Sequence, residues 1–139
     1  SIDPYRGLML DSQPTLLEGT IEDNLTLGRS AISHDDILWA LHFVELDDEI
    51  DHFPDGLATQ VTGHRDQFTL SQTLRFLLAR AIVIRPHVLI IDGTLHNMIP
   101  TLRETILRRL CSKDEPWSVI FVTNDPTFAT YVDRRVTVA

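Results

Sequence analysis

A single cysteine, Cys111, excludes an internal disulfide and suits a reducing compartment, with packing as its expected role. Lysine is as scarce: Lys113 is the only one, and Leu110-Cys111-Ser112 ahead of it contains no glycine. The loop G-x-x-x-x-G-K-[ST], whose backbone N–H groups and lysine cradle phosphates, is therefore missing from this sequence. Positive charge is also in deficit, with 12 Lys and Arg against 20 Asp and Glu. The resulting net charge of -8 argues against a nucleic-acid partner, since the arginines are scattered through the chain, and its simplest meaning is solubility. No stretch approaches the roughly 20 apolar residues of a membrane span. The first residues lack the basic-then-apolar layout of a signal peptide, so the chain is expected to be soluble and not membrane-spanning. The six histidines show no i, i+4 pair, which leaves a helical zinc site without ligands. Ser12 and Ser71 lie outside any G-x-S-x-G elbow, which leaves a hydrolase triad without support.

What the chain does have is a core: 139 residues, 43% of them hydrophobic, are enough for one globular domain. Val88-Leu89-Ile90-Ile91-Asp92 is too short and apolar for most helices and reads as a strand buried on both faces of a parallel sheet. An acid at the end of such a strand stands at the sheet's ligand-binding edge, where it could hold Mg or merely cap the next turn. Ahead of this strand, Gly7 to Leu10 predicts a short strand and Asp11-Ser12-Gln13-Pro14 a loop. Glu22-Asp23-Asn24-Leu25 predicts a short helix ending at Gly28. Ser33 with Asp36 three residues on predicts a capped helix that carries Ile37, Leu41 and Val44 on one face, with an acidic patch from Asp47 to Asp51 at its end. Pro54-Asp55-Gly56 reads as a turn and Thr59 to Gln67 as a polar loop. Thr69 caps a helix expected over Leu70–Ile84, with Leu70, Leu74, Leu77, Leu78 and Ala81 as its apolar face and Pro86 as its terminator.

Beyond Asp92, Thr101 and Glu104 have the spacing of a capping box for a helix through Leu110. Trp117 to Thr123 predicts a second apolar strand, Pro126 to Tyr131 a last helix, and Arg135 to Val138 a final strand. The alternation of strand and helix after residue 86 implies a parallel sheet with crossover helices. The expected fold is thus α/β, one domain over residues 1–139, with a helical insertion at about 22–85 and a core made of 1–21 and 86–139. Arg75, Arg80 and Arg85 read as solvated or pairing side chains, Arg108 and Arg109 suit a helix C-terminus, and Trp39 and Trp117 read as core or half-buried.

In order and spacing, these segments resemble the nucleotide-binding domain of ABC transporters, closest to the exporter type. Leu16-Leu17-Glu18-Gly19-Thr20-Ile21-Glu22-Asp23-Asn24-Leu25 is similar to the family's LF-x-GTI-x-EN-hydrophobic. Phe53 to Val61 is similar to LP-x-G-x-x-T-x-V, and Leu78-Ala79-Arg80-Ala81 to LARA. The resemblance runs from Leu16 to Val138 and implies a partial P-loop NTPase-like fold. Its family cofactors are ATP and Mg, and its partners are a transporter membrane domain and a second nucleotide-binding domain, at the cytoplasmic face of a membrane. The family's phosphate loop lies upstream of the position at which this sequence begins, so the chain is expected to be a fragment of a longer protein, or a product that has lost the first half of its catalytic core.

The catalytic positions depart from the family one by one. The Q-loop glutamine aligns with Ser12, with Gln13 adjacent. The signature LSGGQ aligns with Phe68-Thr69-Leu70-Ser71-Gln72, which keeps a hydroxyl and the glutamine but loses both glycines. Without them, a leucine side chain obstructs a phosphate's approach to the helix N–H groups. Thr69, Ser71 and Gln72, with Ser12, Gln13 and Asp92, remain as vestigial nucleotide contacts, and Asp92 as the one Mg candidate. Gly93 stands where the family places the glutamate that polarises water, and Asn124 where it places the switch histidine. His96-Asn97-Met98-Ile99 replaces the D-loop S-A-L-D. General-base and proton-transfer contributions are each worth about two to four decades of rate, so hydrolysis by this chain is not expected and neither ATP nor Mg is expected to bind to it alone. Two readings follow. One is a portion of a transporter ATP-binding domain that couples nucleotide state to transport, with a degenerate site. The other is an inactive scaffold or dimerisation module that keeps the fold without the nucleotide. An unrelated α/β domain would leave the motif order as coincidence.

Overall fold

The computed structural model describes residues 7–10 as backbone and residues 15–64 and 66–138 in full. Strand β1, Gly7–Leu10, comes first. The two-residue β2, Gly19–Thr20, leads directly into helix α1, Ile21–Thr26. Thr20 accepts from the Asp23 N–H while Asp23 accepts from the Thr20 N–H, a reciprocal cap that fixes where the helix starts. Gly19, at φ +129, has Asp23 Oδ2 2.9 Å from where a Cβ would sit, so a larger residue there would clash with that cap. The same device, Ser33 with Asp36, starts α2, His34–Phe43, as its spacing predicts.

The acidic run becomes a short helix α3, Asp47–Asp51. The expected turn at Pro54–Gly56 runs into a 3-10 turn over Gly56–Ala58. Part of the expected polar loop is instead strand β3, Gln60–Val61, antiparallel to β2. This pairing holds α1 through the Ile21 N–H, which donates to Thr59 O at 3.0 Å. Helix α4 covers Leu70–Ile82, two residues shorter than expected, because Val83 is its cap and Arg85, at φ 48, turns the chain left-handed before Pro86. Leu74, Leu77, Leu78 and Ala81 are buried as its pattern requires; Leu70 is not, being 51% exposed in the first turn.

Strands β4, Val88–Asp92, and β5, Ser118–Val122, complete a three-stranded sheet in the order β1-β4-β5, parallel throughout. Helix α5, Pro100–Leu110, is the crossover between β4 and β5. Its start differs from the expected capping box. Pro100 takes the first helical position, where its missing N–H costs nothing, and Ile99 is the extended cap residue, so Thr101 lies inside the helix. The sheet also departs from double-sided burial. Leu89 and Ile91 are buried on one face, but on the other Val88 and Ile90 are only half-buried, Ile120 and Val122 are each 50% exposed, and Asp92 is exposed. Pro126–Tyr131 forms a 3-10 helix. The expected strand Arg135–Val138 does not form: the segment pairs with nothing among the described residues, and Val136 and Val138 stand in solvent. A β pattern without an available partner strand is not a strand.

One hydrophobic cluster joins α1, α2, α4, β4 and α5. Helix α4 is its axis and packs on α1, α2, β1 and the 3-10 turn Thr94–Asn97. Trp117 sits under α2, edge-on to Phe43 at 5.7 Å and tilted to Trp39 at 6.2 Å, and donates its indole N–H to Leu110 O at 2.8 Å. No helix among the described residues is long and apolar enough to cross a membrane.

Candidate functional site

Two places in the fold carry the residues singled out above. The first is the N-terminus of α4. Thr69 Oγ1 accepts the Gln72 N–H at 3.1 Å and Gln72 Oε1 accepts the Thr69 N–H at 2.9 Å. Gln72 Nε2 then donates to Glu49 Oε1 of α3 at 2.9 Å, and Glu49 Oε2 accepts from Arg75 Nη1 at 2.9 Å. Arg75 is 7% exposed and also donates to Glu45 O at 2.9 Å. Thus Thr69 and Gln72 spend their hydrogen bonds inside the protein, binding α4 to α3. Ser71 is half-buried, and its carbonyl accepts from Arg75 Nε at 3.3 Å.

The second place is the C-terminal edge of the sheet. Asp92 closes β4 as an exposed carboxylate without a hydrogen bond or ion pair among the described residues. Gly93 follows at φ 70, a left-handed conformation that reverses the chain into Thr94–Asn97. Across the edge, Asn124 is exposed, and Thr123 Oγ1 lies 2.7 Å from His96 Nε2 and accepts from the Asp125 N–H at 3.0 Å. Asp125 accepts from Thr127 through both its hydroxyl and its N–H, which holds its carboxyl below the usual range, with the charges of Arg103 and His96 adding to the effect. Ser12 and Gln13 lie outside the described residues. Among the described residues no cluster of three or more potential metal ligands forms, and Asp92 stands alone.

Among the described residues, those at these two places do not by themselves fit a nucleoside triphosphate and its magnesium. Two of the N–H groups at the α4 start are capped by the protein's own side chains, and the half-exposed Leu70 follows them in the first turn. Asp92 is a single exposed acid with no cluster of potential metal ligands around it among the described residues.

Pattern reading alone missed the polar node between α1 and α4. Asn24 is 3% exposed; its Nδ2 donates to Leu17 O and Thr20 O, each at 2.9 Å, and its Oδ1 accepts from the Leu17 N–H at 2.8 Å. Arg80 clamps the same residue, Nε to Asn24 O and Nη2 to Asn24 Oδ1, both at 2.7 Å. Burial, with help from Arg29's charge, pulls the Arg80 pKa down. The signal was present in the two family-like segments, each carrying one partner. Arg85 pairs with Asp36 at 2.9 Å while lying over the Trp39 ring at 4.2 Å, and Arg109 donates to His42 O and Phe43 O.

This fold is that of part of an ABC exporter. A solved bacterial Atm1-family ABC exporter with ATP bound matches it with a TM-score of 0.80 at 20% identity, over 93% of this chain and 22% of that one. No family model matches. Its curated relatives are ABC transporters and transport/processing ATP-binding proteins. The mesentericin-Y105 transport/processing ATP-binding protein MesD of Leuconostoc mesenteroides is 30% identical over 129 residues, 92% of this chain and 18% of that protein. The transport/processing ATP-binding protein ComA of Streptococcus pneumoniae serotype 4 is 29% identical over 91% of this chain and 18% of its own length. The chain thus spans less than a fifth of the curated relatives it matches.

Proposed function

We propose that this chain is a portion of the ATP-binding domain of an ABC transporter, one that couples nucleotide state to transport through its fold and does not hydrolyse ATP by itself. The observation that carries this reading is the exporter fold shared over 93% of the chain, together with relatives named as transport ATP-binding proteins. In this reading residues 22–85 form the helical part, residues 1–21 and 86–139 belong to a P-loop NTPase-like core, and the partners are a membrane domain and a second nucleotide-binding domain at the cytoplasmic face. Asp92 is a retained structural position. Gly93 supplies no side chain to orient water, and the Asn124 amide carries no titratable proton. Titration of Mg-ATP into the chain by calorimetry is expected to give no micromolar binding, and a micromolar Kd for the chain alone would overturn this account of its site.

One observation favours the second reading, an inactive scaffold or dimerisation module. The α4 start is fully engaged with α3 through Gln72, Glu49 and Arg75, and Leu70 stands where a phosphate would approach. The encoded sequence upstream of Ser1 separates the two: a phosphate loop after apolar spans supports the transporter portion, and a start of translation here supports the module.

A further inference from the structure

The residues after β4 and the residues after β5 are distant in sequence, yet one side chain joins them. His96 leaves the 3-10 turn Thr94–Asn97, places Nε2 2.7 Å from Thr123 Oγ1, and stacks its ring on Phe128 at 5.1 Å and 22°. Phe128 is 4% exposed and meets Phe121 of β5 edge-on at 5.4 Å. The same Thr123 oxygen accepts the Asp125 N–H, and Asp125 in turn caps Thr127 at the start of the second 3-10 turn. The imidazole therefore grips the second loop at two points: its hydroxyl anchor by hydrogen bond and its buried aromatic by stacking. The backbone bonds at the ends of the two turns are long by contrast. The His96 N–H reaches Gly93 O at 3.4 Å, the Met98 N–H reaches Leu95 O at 3.2 Å, and the Phe128 N–H reaches Asp125 O at 3.3 Å. Short 3-10 turns with long hydrogen bonds open easily unless tertiary contacts hold them.

We propose that His96 staples the loop Gly93–Met98 to the loop Thr123–Tyr131, so that the two segments at the C-terminal edge of the sheet open and close as one cooperative unit. The staple rests on this geometry alone and does not depend on nucleotide binding, so the calorimetric test above leaves it untouched. It gives the edge residues Gly93 and Asn124 a common motion: whatever displaces one loop displaces the other.

Native-state amide exchange on the chain, read by NMR, tests this. The amides of His96, Met98, Asp125 and Phe128 are expected to share one opening equilibrium. His96→Phe keeps an aromatic ring for Phe128 but removes the nitrogen at Thr123, and should speed exchange of the Asp125 amide about fivefold, the equivalent of one ordinary hydrogen bond, while the two loops acquire separate opening equilibria. Thr123→Val should uncouple them likewise and Thr123→Ser should restore the shared value, which keeps the test valid should His96→Phe fold poorly. Unchanged protection of the α4 amides marks the effect as local. Unequal opening of the two loops in the unaltered chain, or loops that stay locked together in both His96→Phe and Thr123→Val, would overturn the proposal.

Discussion

Asn24→Ala is the substitution that most directly probes what ties the first helix to the core. It deletes four side-chain hydrogen bonds, to the Leu17 N–H, Leu17 O, Thr20 O and Arg80 Nη2. They do not count equally. Leu17 is 52% exposed, so water replaces its partners at small loss, and Thr20 O keeps its helical acceptor role at the start of α1. The large contribution is the charge-assisted bond from the half-buried Arg80, about 1.5–3 kcal/mol for a charged donor. With the lost packing, Asn24→Ala should cost about 3 kcal/mol. Arg80→Lys keeps the charge but loses the two-pronged grip on Asn24 O and Oδ1, and should cost about 2 kcal/mol. Urea unfolding followed by tryptophan fluorescence measures both; with m about 2 kcal/mol/M, the larger loss moves the midpoint by about 1.5 M. A double-mutant cycle of Asn24→Ala with Arg80→Met isolates the pair and should return about 1.5 kcal/mol of coupling. Additivity within about 0.5 kcal/mol would refute the argument, because it would mean that Arg80 does not use the Asn24 side chain.

Two further outcomes follow from the same kind of reasoning. Glu49→Ala leaves the buried Arg75 with only carbonyl partners and frees Gln72; because Glu49 is itself 36% exposed and screened, the expected loss is about 2 kcal/mol in a urea titration, and a change under about 0.5 would contradict it. Burial, reinforced by the charge of Asp133, pushes the Cys111 thiol up to about 11. Its folded pKa lies above the unfolded value of 9.0, so its contribution to stability is intact below pH 9 and lost as pH rises towards 11. Alkylation by iodoacetamide at pH 8 should be slow in the folded chain and fast in urea, and equal rates would refute the assignment.

Elements set by contacts three residues apart were legible in the sequence. Ser33 with Asp36 and Thr69 with Gln72 each close a reciprocal cap, and the helices start where those pairs put them. Where a local rule had a competitor, it lost: Thr101 and Glu104 have capping spacing, but Pro100 was already fit for the first helical position. Leu70 matches the helical period of α4 yet lies in the first turn, beyond the surface that α1 and α2 cover. Strand β3 and the unformed strand at Arg135–Val138 reveal the same limit from opposite sides. Gln60–Val61 has no strand pattern but finds β2 in space, whereas Arg135–Val138 has the pattern and finds no partner among the described residues. Arg75, Arg80 and Arg85 were legible only as charges. Their partners Glu49, Asn24 and Asp36 are 26, 56 and 49 residues away, and no spacing rule reaches so far.

For the candidate site the sequence offers a set of departures from a family pattern, and two of those positions, Gly93 and Leu70, have a definite place in the geometry. Gly93 does more than lack a glutamate's side chain. Its φ of 70 starts the turn that carries Thr94 and Leu95 into the core and His96 out to Thr123. A glutamate at that position would hold a left-handed backbone at a cost of roughly 1–2 kcal/mol, or else unwind the turn and release His96. At the other end of the set, a glycine in place of Leu70 would clear the α4 start, but Thr69 and Gln72 would still cap it from within, and Glu49 would still hold Gln72. The turn at Gly93 and the cap of Thr69 and Gln72 are therefore tied to their neighbours by bonds that serve the fold. A substitution at either position therefore acts first on the turn or the cap that holds it, and a stability measurement would register it before any change in ligand binding could.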